Sequence, residues 1–74
     1  MPTPQELEER ITQAIPGAKA TAEDLNGNGD HFQVTVQAQA FEGKSRIEQH
    51  QMIYAALGDA MREEVHALAI QTSI

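Results

Sequence analysis

The chain has 74 residues, enough for one domain and close to the lower limit for a core that no staple supports. It contains no cysteine, which excludes disulfides, thiolate nucleophiles and thiolate metal ligands from this chain. A formal net charge of −6, with only five Lys and Arg residues, disfavours non-specific binding along a phosphate track and suits docking on protein partners. No basic segment followed by an apolar run opens the chain, and no apolar run approaches membrane-spanning length. A cytoplasmic, reducing location away from the membrane is therefore expected.

Thr3-Pro4-Gln5-Glu6 reads as a helix start. Thr3 caps, Pro4 takes the first helical position and Glu6 stands at the third. Leu7, Ile11, Ala14 and Ile15 then form one apolar stripe at helical spacing, which Pro16-Gly17 ends. Ala18 to Leu25 reads as a strand with Ala18, Ala20 and Ala22 on one side. Asn26-Gly27-Asn28-Gly29-Asp30 is a turn, because these residue types tolerate positive φ. His31 to Ala40 is the clearest strand: Phe32, Val34, Val36, Ala38 and Ala40 alternate with His31, Gln33, Thr35, Gln37 and Gln39. Ser45-Arg46-Ile47-Glu48 is a capping box. The helix it opens runs to about Leu57, with Ile47, His50, Ile53, Tyr54 and Leu57 near one stripe, and Gly58 breaks it. Asp59 caps a short third helix through Glu64. Val65 to Gln71 forms the last strand, apolar on both sides and so flanked by another strand.

The order is α-β-β-α-α-β, an α+β domain over residues 1–74. The first two strands make an antiparallel hairpin. The helical crossover makes the second and third strands parallel. A three-stranded mixed sheet follows, with helices packed on one face.

Several side chains could carry chemistry. His66 stands at the start of the apolar last strand. It is either hydrogen-bonded to backbone or faces outward as a ligand. His31 begins the polar side of the second strand, beside the turn. His50 lies on the apolar stripe of the second long helix, where a half-buried ring bonded to a backbone carbonyl is expected, and Tyr54 packs one turn later. Asp24-x-Asn26-x-Asn28-Gly29 imitates the opening of an EF-hand loop, but the twelfth position is Thr35 and strands flank it, so a hairpin turn explains it. Lys44 and Arg46 are the close basic pair. They could touch phosphates at a helix N-terminus, yet Gly43 has Arg46 three residues on, so the Gly-x-x-Gly clamp of RNA-binding K-homology domains is missing. Glu6, Glu8, Glu9, Glu63 and Glu64 read as solvated helix charge. No enzyme constellation is present, and a non-catalytic role is expected.

Three pieces carry a family resemblance: Gly29-Asp30-His31-Phe32-Gln33-Val34, then Phe41-x-Gly43-x-Ser45 followed by His50, Tyr54 and Leu57, then His66-Ala67-Leu68. In this order and spacing the chain resembles the BolA family over nearly its whole length. The resemblance implies a type II K-homology-like fold. It implies partnership with a monothiol glutaredoxin and a shared, bridged [2Fe-2S] cluster to which the glutaredoxin contributes a cysteine and glutathione. His66 matches the family's ligand in the last-strand motif. A second ligand comes from the loop between the first two strands, where His31 or another atom of the Asn26 to His31 segment stands here. Imidazole ligation raises a cluster's potential and makes it labile in mild acid, which suits transfer or sensing. The family also includes DNA-binding regulators of morphology and stress response, so transcription regulation through Lys44 and Arg46 is the alternative. Alone, a monomer or weak homodimer is expected. Two departures stand out: Gln49 occupies a position where the family often has arginine, and the chain stops at Thr72-Ser73-Ile74 without a Thr-Pro tail.

Overall fold

The computed structural model describes residues 3–25, 27, 31–58 and 67–74. Its elements are α1 (Pro4–Ala14), β1 (Lys19–Asp24), β2 (His31–Gln37), a 3-10 turn (Gln39–Phe41), α2 (Arg46–Leu57) and β3 (Ala67–Ser73). The third helix expected at Asp59 to Glu64, and the first two residues of the strand expected from Val65, lie outside the described residues.

β2 is the centre of the sheet, whose strand order is β1-β2-β3. It pairs antiparallel with β1, from Lys19 opposite Gln37 to Asp24 opposite Phe32. It pairs parallel with β3, from His31 beside Ala67 to Gln37 beside Ser73. The alternation in β2 decides which face is covered. Phe32, Val34 and Val36 are fully buried, while Thr35 and Gln37 on the opposite side are exposed. Leu7 and Ile11 of α1, Ile53 and Leu57 of α2, and Phe41 close over the apolar face.

Several local expectations give way to tertiary context. β2 ends at Gln37, not Ala40. The Ala38 N–H still donates to the Ser73 carbonyl (3.0 Å), but the chain then tightens into the 3-10 turn. That turn buries Phe41 and leaves Ala40 exposed. Gly43, with φ of 78°, completes the reversal into α2 in a conformation that side-chain-bearing residues rarely adopt. Ala14 is exposed at the end of α1. On α2 the buried residues are Ile53 and Leu57, whereas Ile47 is 71% exposed and Tyr54 43%. Each helical step turns the side chain by 100°, so Tyr54 points well away from its buried neighbour Ile53.

Both helix starts are built as expected. The Glu6 N–H donates to Thr3 Oγ1 (3.2 Å). At α2, the Glu48 N–H donates to Ser45 Oγ (3.1 Å) and the Ser45 N–H donates to Glu48 Oε1 (3.2 Å). The Ser45 N–H, and after it the Ser45 hydroxyl, bond the charged Glu48 carboxyl and hold it below its ordinary pKa, and Lys44 adds a smaller attraction. The folded-state value is depressed, so this contribution is complete above the unfolded-state value and is lost as pH falls through the folded one. Ser45→Ala is expected to cost about 1 kcal/mol near neutral pH. In thermal melts followed against pH, the gap between wild type and Glu48→Gln should be constant near neutrality and close in acid. A gap that widens on acidification would contradict the assignment.

Candidate functional site

The first candidate region is the end of the sheet where β2 and β3 both begin. His31 opens β2 and is half-buried. Its carbonyl accepts the Leu25 N–H (2.8 Å), which closes the β1–β2 hairpin. Within that hairpin Asp24 Oδ1 accepts the Gly27 N–H (2.9 Å), the Asx arrangement of a tight turn rather than the start of a calcium loop. Across the ladder His31 stands beside Ala67. Ala67 directly follows His66 in the chain. His66, and the turn positions Asn26 and Asn28 to Asp30, lie outside the described residues. Among the described residues no group of three or more His, Cys, Asp or Glu side chains is arranged to hold a metal ion.

The second region is at the other end of β3. Arg46 and His50, one turn apart on α2, line a cleft of about 390 Å³ with Ile70, Gln71 and Thr72. His50 is half-buried, as its place on the stripe suggested, but its ring forms no hydrogen bond with any described residue, so the expected carbonyl partner is not found. Gln71 is four residues along β3 from Ala67, roughly 13 Å at the rise of a parallel strand. The two regions are thus separate. Lys44 and Arg46 are both exposed where the chain enters α2, with Lys44 beside Glu48.

Five side-chain bonds, made by three residues, were not visible in the sequence. Gln49 Nε2 donates to the Lys44 carbonyl (3.0 Å) and the Phe41 carbonyl (3.3 Å), and Gln49 Oε1 accepts from Thr72 Oγ1. One amide therefore ties the Phe41–Lys44 turn, α2 and the end of β3 together. It stands where the resembling family often has arginine, and an arginine could not accept the Thr72 bond. Glu8, expected as solvated helix charge, accepts the Ala22 N–H (2.9 Å) and so covers part of the outer edge of β1. Arg10 Nη1 donates to the Leu57 carbonyl (3.0 Å), satisfying one of the orphan carbonyls at the end of α2. The departure from the family pattern at position 49 was the one signal available; nothing local marks Glu8 or Arg10.

Among the described residues no helix is long and apolar enough to cross a membrane. Residues 7–74 match the family model for BolA-like proteins. The chain is 36% identical over 72 residues to Protein BOLA2 of Arabidopsis thaliana, covering 96% of this chain and 76% of that protein. The solved structure of a bolA protein homologue from Coxiella burnetii superposes with a TM-score of 0.81 at 31% identity, covering 99% of this chain and 91% of the other. A shorter stretch of 46 residues is 37% identical to the DNA-binding transcriptional regulator BolA of Escherichia coli, covering 62% of this chain and 44% of that one. With the α+β architecture and the strand register already in place, these similarities establish that the chain belongs to the BolA family.

Proposed function

We propose that this protein is a non-catalytic accessory factor of the cytoplasm that docks on a monothiol glutaredoxin. His66 and His31 act as its ligands to a [2Fe-2S] cluster shared with the glutaredoxin's cysteine and with glutathione. The cluster is cargo, in iron–sulfur trafficking or iron regulation. The observation that carries this reading is the parallel register of β2 on β3. His31 stands beside Ala67, the residue that follows His66. Neighbouring strands are about 4.8 Å apart, so the backbone of His31 lies one strand spacing from that of Ala67. The start of β2 and the residue that follows His66 in the chain are thus neighbours at one end of the sheet. A chain without cysteine has imidazole as its natural donor to iron.

The test is a titration of cluster-loaded monothiol glutaredoxin with this protein, followed by visible circular dichroism. A change that saturates near equimolar protein is expected. A spectrum that does not move overturns the reading.

The second reading, DNA binding, has two observations in its favour: similarity to a DNA-binding regulator and an exposed Lys44–Arg46 pair. The net charge of −6 and the carboxylate of Glu48 beside Lys44 work against it. It requires a steeply salt-dependent shift of duplex DNA that the Lys44/Arg46 double substitution removes. Absence of any shift at low salt eliminates it.

A further inference from the structure

The second region, between α2 and β3, has no part in the reading above. β3 pairs with β2 on one side only, so among the described residues its other side is a sheet edge. The direction of its backbone groups follows from one bond. The Ser73 carbonyl accepts from Ala38 and therefore faces β2. Strand residues alternate, so Gln71 and Ala69 also face β2, and the N–H and C=O groups of Ile70 and Thr72 point outward. Ile70 and Thr72 line the same cleft as Arg46 and His50. Thr72 Oγ1 is engaged with Gln49, but its backbone groups are not part of that bond.

The chain carries eleven Asp and Glu residues, yet among the described residues the cleft is lined by a guanidinium and an imidazole and by no carboxylate. Neither the Arg46 nor the His50 side chain has a hydrogen-bond partner among the described residues. A strand edge left open among the described residues is a template for one more strand.

We propose that the outer edge of β3 at Ile70 and Thr72 is a strand-addition site for an extended acidic peptide segment, with Arg46 and His50 receiving its carboxylate. Backbone bonds to Ile70 and Thr72 hold the peptide. Alternate side chains of an extended peptide point to opposite faces, so those on the helix side meet α2. A carboxylate placed there meets the guanidinium fork of Arg46 directly. The site is independent of the cluster reading and can succeed or fail alone.

The probe is a capped, fluorescein-labelled seven-residue peptide of alternating valine and glutamate, measured by fluorescence anisotropy against the full chain. Three companions are used: the same peptide with lysine for glutamate, a version N-methylated at alternate residues, and the protein variant Arg46→Glu. Saturable binding is expected for the parent peptide. At least a ten-fold loss of affinity is expected for each companion. Arg46 is exposed, and a thermal melt of Arg46→Glu confirms that its fold is kept. Amide exchange reads the geometry: the Ile70 and Thr72 amides should gain protection on adding peptide, while Ala69 and Gln71, already turned to β2, change little. Three results overturn the proposal: no binding up to roughly 1 mM peptide, equal binding of the lysine peptide, or binding without protection at Ile70 and Thr72. Concentration-dependent self-association that protects the same two amides in peptide-free protein would also overturn it, assigning the edge to a second copy.

Discussion

Phe32→Ala is expected to remove a large share of the stability of this domain. A chain of 74 residues has a total stability of roughly 4–11 kcal/mol at typical values per residue. Phe32 is fully buried in the central strand, among the largest side chains of the core. Truncating a buried phenylalanine costs about 3–5 kcal/mol, as lost transfer energy plus the cavity left behind. Few other residues could collapse into that space, because Phe41 is the only other phenylalanine and the rest of the core is aliphatic. Melting should fall by at least roughly 12 °C, given the steep dependence of melting temperature on stability in small domains. Thr35→Ala provides the contrast. Thr35 belongs to the same strand but faces solvent, and its loss should stay within about 0.5 kcal/mol. Equal effects at the two positions would mean that the face assignment of β2 is wrong.

That face assignment could be read directly from the sequence, because a period of two in β2 leaves only one way to bury Phe32, Val34 and Val36 together. The capping box of α2 was legible for a similar reason, since its two partners lie within three residues. Helix faces were harder. Reading Ile47, His50, Ile53, Tyr54 and Leu57 as one stripe put Ile47 and Tyr54 on the covered side of α2, whereas the helix turns on Ile53 and Leu57 and leaves both outside. The neighbouring surfaces decide this, and they are distant in sequence. The end of β2 escaped for a related reason: alanine at positions 38 and 40 fits a strand or a tight turn equally well, and burial of Phe41 selects the turn. Glu8, Arg10 and Gln49 were illegible because their partners are 14, 47 and 23 residues away for the bonds to Ala22, Leu57 and Thr72.

These long-range bonds also explain how so small a domain holds its sheet. The edge of β1 receives Glu8. Arg10 fastens α1 to the end of α2, and Gln49 fastens α2 to the end of β3. Every element on the covered face is therefore tied to another by a polar bond as well as by the core. The outward backbone groups of Ile70 and Thr72 take no part in this bracing among the described residues. The candidate site at His31 depended on the same kind of non-local fact. The residue types at both ends could be seen in the sequence, but the pairing of His31 with Ala67 follows from the parallel register, which a long connection cannot reveal.

The sharpest consequence of that register is a difference between histidines. His66→Ala is expected to abolish the change that this protein produces in the visible circular dichroism of a cluster-loaded monothiol glutaredoxin. Loss of an outer-shell partner alone weakens metal sites roughly 10–100-fold, so loss of a ligand should cost no less. His31→Ala should weaken the same response and change its shape, because one of the two proposed ligands is then missing. His50→Gln is the control. Its ring lines the cleft at the far end of β3, and its loss should leave the shape of the spectrum unchanged. Thermal melts of all three variants separate lost ligation from lost folding. If the His66→Ala protein behaves like wild type, the cluster is not held through this strand. If His31→Ala does so while His66→Ala fails, the second ligand comes from elsewhere in the β1–β2 turn and the place of His31 beside Ala67 is incidental.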